Sequence, residues 1–179
     1  MKLFKIYPLI IFLSLSSVFN TAHVGQSVAN ESGPVYMMNP DYSYEPYYSY
    51  CNISNKSALK GKDLARCDLH DADLRGADLE GANLVDAYLI DADLSEANLE
   101  GANLVDAYLL RANLTDANLS GANLTDANLK DANLTGANLR GANFEGAYLG
   151  DAVLKGANLE GATWVDGRTC AKKSVGECL

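Results

Sequence analysis

Residues that do chemistry are scarce in this chain of 179 residues: there are two histidines, four cysteines and one tryptophan. His23 lies in the first thirty residues, which leaves His70 as the single imidazole beyond them. Positive charge is also short, with 14 Lys and Arg against 23 Asp and Glu. A surface so acidic repels phosphate backbones, so nucleic acid is not an expected partner. It favours cationic partners instead. After the N-terminal region no apolar run is long enough to span a bilayer, so no stable membrane insertion is expected once that region is removed.

The N-terminal region reads as a signal peptide, residues 1–29. Lys2 and Lys5 precede an apolar run from Ile6 to Phe19, too short for a permanent span. Ser27 and Ala29 place small residues at both recognition positions, while a cut after Ala22 lies nearer the apolar run; both sites stay open, and so does an uncleaved anchor. Removing residues 1–29 takes away two Lys and no acid, so 12 basic and 23 acidic residues remain, a net charge of −11. Export is therefore expected, to the periplasm or outside the cell if the source is bacterial. Four cysteines, Cys51, Cys67, Cys170 and Cys178, suit an oxidising compartment and allow three disulfide connectivities. Residues 30–50 hold six Tyr and three Pro with almost no aliphatic side chains. Such a segment cannot build a core and reads as a linker, with residues 30–56 forming linker and N-terminal cap.

From Ser57 to Asp166 the chain is 22 pentapeptides without insertion or deletion. The central residue, position i, is Leu in 20 of them, with Phe144 and Trp164 the exceptions. Position i−2 is Ala without a break from Ala72 to Ala162; the first three units carry Ser57, Lys62 and Cys67 there. On an α-helix five residues advance about 500°, so Leu would drift around the axis. On a straight strand the period is two, so successive Leu would point to opposite faces. The chain must therefore turn once per unit. Positions i−2 and i point inward, and i−1, i+1 and i+2 outward. Ala is required because a narrow tube cannot hold two large side chains per side.

A second period gives the number of sides. GANLVDAYLIDADLSEANLE, residues 81–100, is followed by GANLVDAYLLRANLTDANLS, so the surface letters repeat at twenty. Every fourth unit has Gly at i+2: Gly61, Gly81, Gly101, Gly121, Gly141 and Gly161. Another column carries Asp86, Asp106 and Asp126 there, and a third carries Asp71, Asp91, Asp131 and Asp151. Four units per turn make a four-sided coil with like letters stacked. At strand spacing of about 4.8 Å this gives a rod roughly 25 Å tall from about 5.5 coils.

These A-(D/N)-L-x-x units resemble the pentapeptide-repeat family almost letter for letter over residues 57–166. The resemblance implies an all-β fold, a right-handed quadrilateral parallel β-helix with i and i−2 inside. The tail TWVDGRTCAKKSVGECL also resembles a C-terminal ending of that family, in which the last coil carries Trp and two cysteines close a loop. By that likeness Cys170 pairs with Cys178 in a cap over residues 167–179, and Trp164 closes the tube. Cys51 with Cys67 is the second pair, tying the N-terminal cap to the first coil; two free thiols packed as small core residues is the alternative.

Little in this framework suggests catalysis, and no enzyme or cofactor is expected. Cys67-x-x-His70 has metal-pair spacing, but Cys67 points in and His70 out. Acid pairs of the glycosidase kind need a cleft, and a filled convex rod has none. Two unit charges about 4.8 Å apart repel by about 0.9 kcal/mol in water. The Asp columns therefore read as a solvated face with weak cation association and no metal site, because the glycine-rich nonapeptide of calcium-binding β-rolls is missing. Sequons occur at Asn52-Ile53-Ser54 and Asn55-Lys56-Ser57, and those in ANLT and ANLS units are by-products of the repeat pattern. One surface stands out. Val85, Tyr88 and Ile90 stack on Val105, Tyr108 and Leu110 in an apolar-aromatic patch beside acids, which suits a partner carrying Lys or Arg. Stacking on a sheet surface explains the same letters without a partner. The expected function is a non-enzymatic exported scaffold with an unnamed, basic protein partner; an end-to-end homodimer also stays open. The alternative carries over from family members that mimic DNA and bind a type II topoisomerase, which the net charge would fit.

Overall fold

Alternation between Ala–x–Leu and a two-residue turn dictates what is seen in the computed structural model, which describes residues 49–51 and 53–179. The expected signal peptide and most of the expected Tyr-rich linker, including both candidate cleavage points, lie outside those residues. Each unit places its i−1 residue in a parallel bridge to the residue twenty positions on: Asp63 to Asn83, Asp68 to Tyr88, Asp73 to Asp93 and Asp78 to Asn98. The bridges run on in four columns and define four faces. The first face ends at Asn158, the second at Thr163, the third at Tyr148 and the fourth at Val153. The result is a β-helix, with no α-helix among the described residues.

Between coils the backbone is paired group by group. Leu84 N–H donates to Asn103 C=O at 2.7 Å, and Asn103 N–H donates to Ala82 C=O at 2.9 Å. At each corner the Leu carbonyl accepts from the Ala three residues on, as with Ala82 N–H to Leu79 C=O at 3.0 Å. The residue at i+2 adopts positive φ at every corner from Gly61 to Gly161, between +55° and +74°. One central residue with positive φ is the signature of a type II turn. Gly adopts this region freely and Asp tolerates it. The Gly and Asp columns at i+2 are therefore backbone requirements before they are surface features.

The interior is the Ala–Leu wall. From Ala77 to Ala142 every Ala and Leu at these positions is fully buried, with Phe144 filling the tube near its C-terminal end. The first two units depart from the expected pattern: Ser57 and Lys62, at i−2, are both exposed. Lys56–Ala58 instead forms a 3₁₀ turn, and the bridges begin one unit late, at Asp63. The reason is physical. No coil lies above to bury these positions, and a Lys ammonium is too costly to enclose without a partner.

Each end is closed differently. Strand β1, Ser49–Tyr50, lies parallel on β2, Cys67–Asp68, at the top of the third face. At the other end the chain reverses after Gly167 (φ +82°). It then runs antiparallel beneath its own last coil, with Thr169 on Thr163 and Val175 on Asn158. The structure joins Cys51 to Cys67 and Cys170 to Cys178, at Cα separations of 5.5 and 4.8 Å. The Trp164 ring sits 5.9 Å from that of Phe144 and is half-buried.

Candidate functional site

The third face and its two corners carry the patch residues. Tyr88 and Tyr108 are bridge partners, and their rings lie 5.3 Å apart at 44°. Val85 and Val105 occupy the corner before that face, and Ile90 and Leu110 the corner after it. Backbone bonds fix each pair in register: Asp86 N–H donates to Val105 C=O, and Asp91 N–H to Leu110 C=O, both at 3.0 Å. The structure thus brings all six residues onto one continuous surface. Tyr108 is the most open of them at 38% exposure, and the other five are half-buried. The Tyr88 and Tyr108 rings pack against each other. What remains open is the Tyr108 ring with aliphatic edges on both sides.

Charge frames this surface. Asp86 and Asp106 stand at the corner beside Val85 and Val105. Arg66 Nε reaches Asp86 Oδ2 at 3.4 Å from the coil above. At the other corner Arg111 stands in the Asp column, and its Nε donates to Asp91 Oδ1 at 2.7 Å. That hydrogen bond, with desolvation opposing it, holds the Asp91 carboxyl below its ordinary pKa. The same bond raises the pKa of the guanidinium. On the fourth face Asp93 accepts from the Ser95 hydroxyl at 2.6 Å. Its pKa is lowered for that reason first.

Cys67 is buried in its disulfide, while His70 is exposed on the surface. His70 Nε2 lies 3.2 Å from Asp71 Oδ2. His70, Asp71 and Asp91 bring one ligand atom each within 4.8 Å of one another. However, Arg111 already holds both Asp91 oxygens. The stacked Asp86, Asp106 and Asp126 form no comparable group among the described residues.

The Asn and Asp at i−1 do more than face water. At most of them Oδ1 accepts the backbone N–H of i+1, as in Ser120 N–H to Asn118 at 3.2 Å, whereas Asn103 Oδ1 is buried without a hydrogen-bond partner. The Asn amides donate to the residue one coil above: Asn118 to Asn98 at 3.1 Å and Asn138 to Asn118 at 2.9 Å. Where i+1 is Thr its hydroxyl joins in, Thr125 Oγ1 to Asn123 Oδ1 at 2.6 Å. The sequon-like NLT units are therefore locked side-chain ladders. A run of Asn at a spacing of twenty was the signal for them.

The sequence pattern of the family described as pentapeptide repeats matches residues 63–101, 92–131 and 132–163 in eight copies. No curated protein matches the chain. Among solved structures, HetL of the cyanobacterium Nostoc, a pentapeptide repeat protein involved in heterocyst differentiation regulation, is 37% identical. That match covers 62% of this chain and 59% of HetL, with a TM-score of 0.49. A pentapeptide repeat protein of the Arabidopsis thaliana thylakoid lumen is 33% identical over 65% of this chain and 70% of its own, with a TM-score of 0.37. A third, Rfr23 of the cyanobacterium Cyanothece, is 42% identical over 52% of this chain and 64% of its own, with a TM-score of 0.37.

Proposed function

The chain belongs to the pentapeptide-repeat family, and from that premise we propose that it is an exported, non-enzymatic scaffold. Its third face would bind a protein partner presenting Lys or Arg beside apolar side chains. The rod is taken as a right-handed quadrilateral β-helix of about 5.5 coils, the geometry expected of the family and of a 4.8 Å rise per coil. The single observation that carries the reading is the Tyr88–Tyr108 pair, rings 5.3 Å apart beside the Asp86–Asp106 corner. Tyr faces attract cations, and Tyr is a preferred anchor of protein interfaces. Two disulfides and an apolar run behind Lys2 and Lys5 support an oxidising destination, periplasmic or extracellular. A second copy of the chain, joined end to end, is a further partner. The test is cross-linking capture from the exported fraction with the unaltered chain and with Tyr88→Ser/Tyr108→Ser. Loss of capture with nearly unchanged melting is expected; capture that survives the double change rejects the patch.

The net charge of −11 after removal of residues 1–29 favours a second reading, a DNA mimic for a type II topoisomerase. Its carboxylates are spread over several corners, and many are already paired with Arg or Lys of a neighbouring coil. Locating the native protein separates the readings, because a cytoplasmic protein would favour the mimic and an exported one excludes it.

A further inference from the structure

The C-terminal cap is half a cap. It underlies the first face through Val175 and the second through Thr169, but not the third and fourth. There the last coil ends in an open parallel edge. From the unit of Leu64 to that of Phe144, the N–H of position i and the C=O of position i−2 are taken by the next coil. On this edge Leu149 and Leu154 N–H, with Ala147 and Ala152 C=O, meet no backbone partner among the described residues. The cap segment has the same property on its outer side. Ser174 C=O, Gly176 N–H, Arg168 C=O and Cys170 N–H bond upward to the last coil, while the N–H and C=O of both Val175 and Thr169 meet no backbone partner. Apolar exposure gathers here too. Tyr148 at 55%, Val153 at 47%, Val175 at 56% and Leu179 at 63% are four of the five exposed large apolar side chains among the described residues.

The end of the rod is thus a step one strand thick, raised on two adjacent faces and absent on the other two. We infer that two copies join tail to tail about a twofold axis across the rod, each cap seated in the other's step. An axis through the corner between the fourth and first faces exchanges those faces, and exchanges the second with the third. It sets Val175 of one copy under Val153 of the other, and Thr169 under Tyr148. Flipping one copy turns its antiparallel cap parallel to the partner's edge, the sense used throughout the coil. Leu154 N–H then meets Val175 C=O, and Val175 N–H meets Ala152 C=O. Leu149 and Ala147 do the same with Thr169. Every unpaired group named above finds its complement, and the two exposed valines cover each other. A self-complementary surface of this kind closes as a dimer and cannot grow into a filament. The joint is only as wide as one coil, which places it among small, concentration-dependent interfaces. It deepens the end-to-end pairing proposed above and is independent of the third-face patch.

Sedimentation velocity of the purified chain, from micromolar to millimolar concentration, tests this. The mass should rise to twice that of the chain, and the Leu149 and Leu154 amides should gain exchange protection in the dimer. V153K/V175K places ammonium against ammonium on exposed positions and should stay monomeric with an unchanged circular dichroism spectrum and melt. V153K/V175E restores opposite charges across the axis and should dimerise again. An unaltered chain that stays monomeric overturns the inference, and so does a V153K/V175K chain that dimerises like the unaltered one. A monomer with protected Leu149 and Leu154 amides would put residues before Ser49 on the edge, and also overturns it. Loss of partner capture in the Tyr88/Tyr108 variant bears only on the patch, so the two proposals fail separately.

Discussion

At the scale of single residues, the corner position i+2 decides more than its solvent-facing place suggests. Its φ is positive whether the residue is Gly, Asp, Glu or Arg. Gly141 and Gly146 share nearly the same φ, +68° and +70°, but differ in surroundings. A Cβ on Gly141 meets nothing within 4 Å, whereas one on Gly146 would collide with Asp126 Oδ1. Both Gly→Ala changes should lower stability by about 1–2 kcal/mol through the left-handed backbone. Gly146→Ala should lower it further, because the Asp126 carboxylate must turn away; urea melts of the two variants measure the difference. Glu96, at φ +59°, is the converse case. Glu96→Gly should be neutral or stabilising by up to about 1 kcal/mol, since relief of the backbone is offset by a looser unfolded chain. The Asp91–Arg111 pair adds a pH signature. The folded pKa of Asp91 is depressed, chiefly by its hydrogen bond to Arg111. Its contribution is therefore complete above the unfolded carboxylate value and disappears as pH falls through the folded one. Asp91→Asn should be slightly less stable than the unaltered chain at pH 7. The gap should close in melts run progressively below about pH 4.

At the scale of the element, a rung is held by its backbone bridge, by its buried Ala–Leu pair and by its Asn ladder. Asn118 shows the third contribution in isolation. It donates to Asn98, accepts from Asn138 and accepts the Ser120 N–H. Asn118→Ala should cost about 1–3 kcal/mol, the usual penalty for leaving half-buried polar partners unmatched. Asn118→Asp sets a carboxylate oxygen against Asn98 Oδ1 and Glu100 Oε2, which the Asn118 amide now serves, so it should cost at least as much as Ala at pH 7 in a denaturant series. The wall and the four faces were legible in the sequence, because a period of five fixes which residues turn inward and a period of twenty fixes what stacks. The ladder was not, since in-or-out alternation says nothing about what an outward Asn touches one coil away. The left-handed corners were half-legible: Gly and Asp recurred at i+2, but their common backbone cause shows only in φ. Ser57 and Lys62 obey the five-residue spacing yet stay exposed, because spacing cannot tell a first unit from one with a coil above it. The half-cap was hidden for a similar reason. Two cysteines and a Trp mark an ending, but not which faces it covers.

At the scale of the whole molecule, the rod separates a uniform inside from a varied outside. The Ala–Leu wall makes the inner coils equivalent, so their side faces can change letters without disturbing the core. The patch at Val85, Tyr88, Ile90, Val105, Tyr108 and Leu110 uses that freedom, and its six residues lie together only because twenty residues make one turn. Its location was legible in the sequence. The extent to which its side chains bury one another was not, because ring-to-ring distance depends on rotamers. Most of the binding energy should therefore rest on the ring left most open, Tyr108, with Tyr88 supporting it from the coil above. The most direct test is a binding isotherm for the partner captured from the exported fraction, comparing the unaltered chain with Tyr88→Ser/Tyr108→Ser. Loss of affinity by about tenfold or more, with the melting temperature nearly unchanged, is the expected result, since truncating an interface hot spot costs about 2 kcal/mol or more. An affinity that stays within about twofold while the rod remains folded would contradict a binding role for this face.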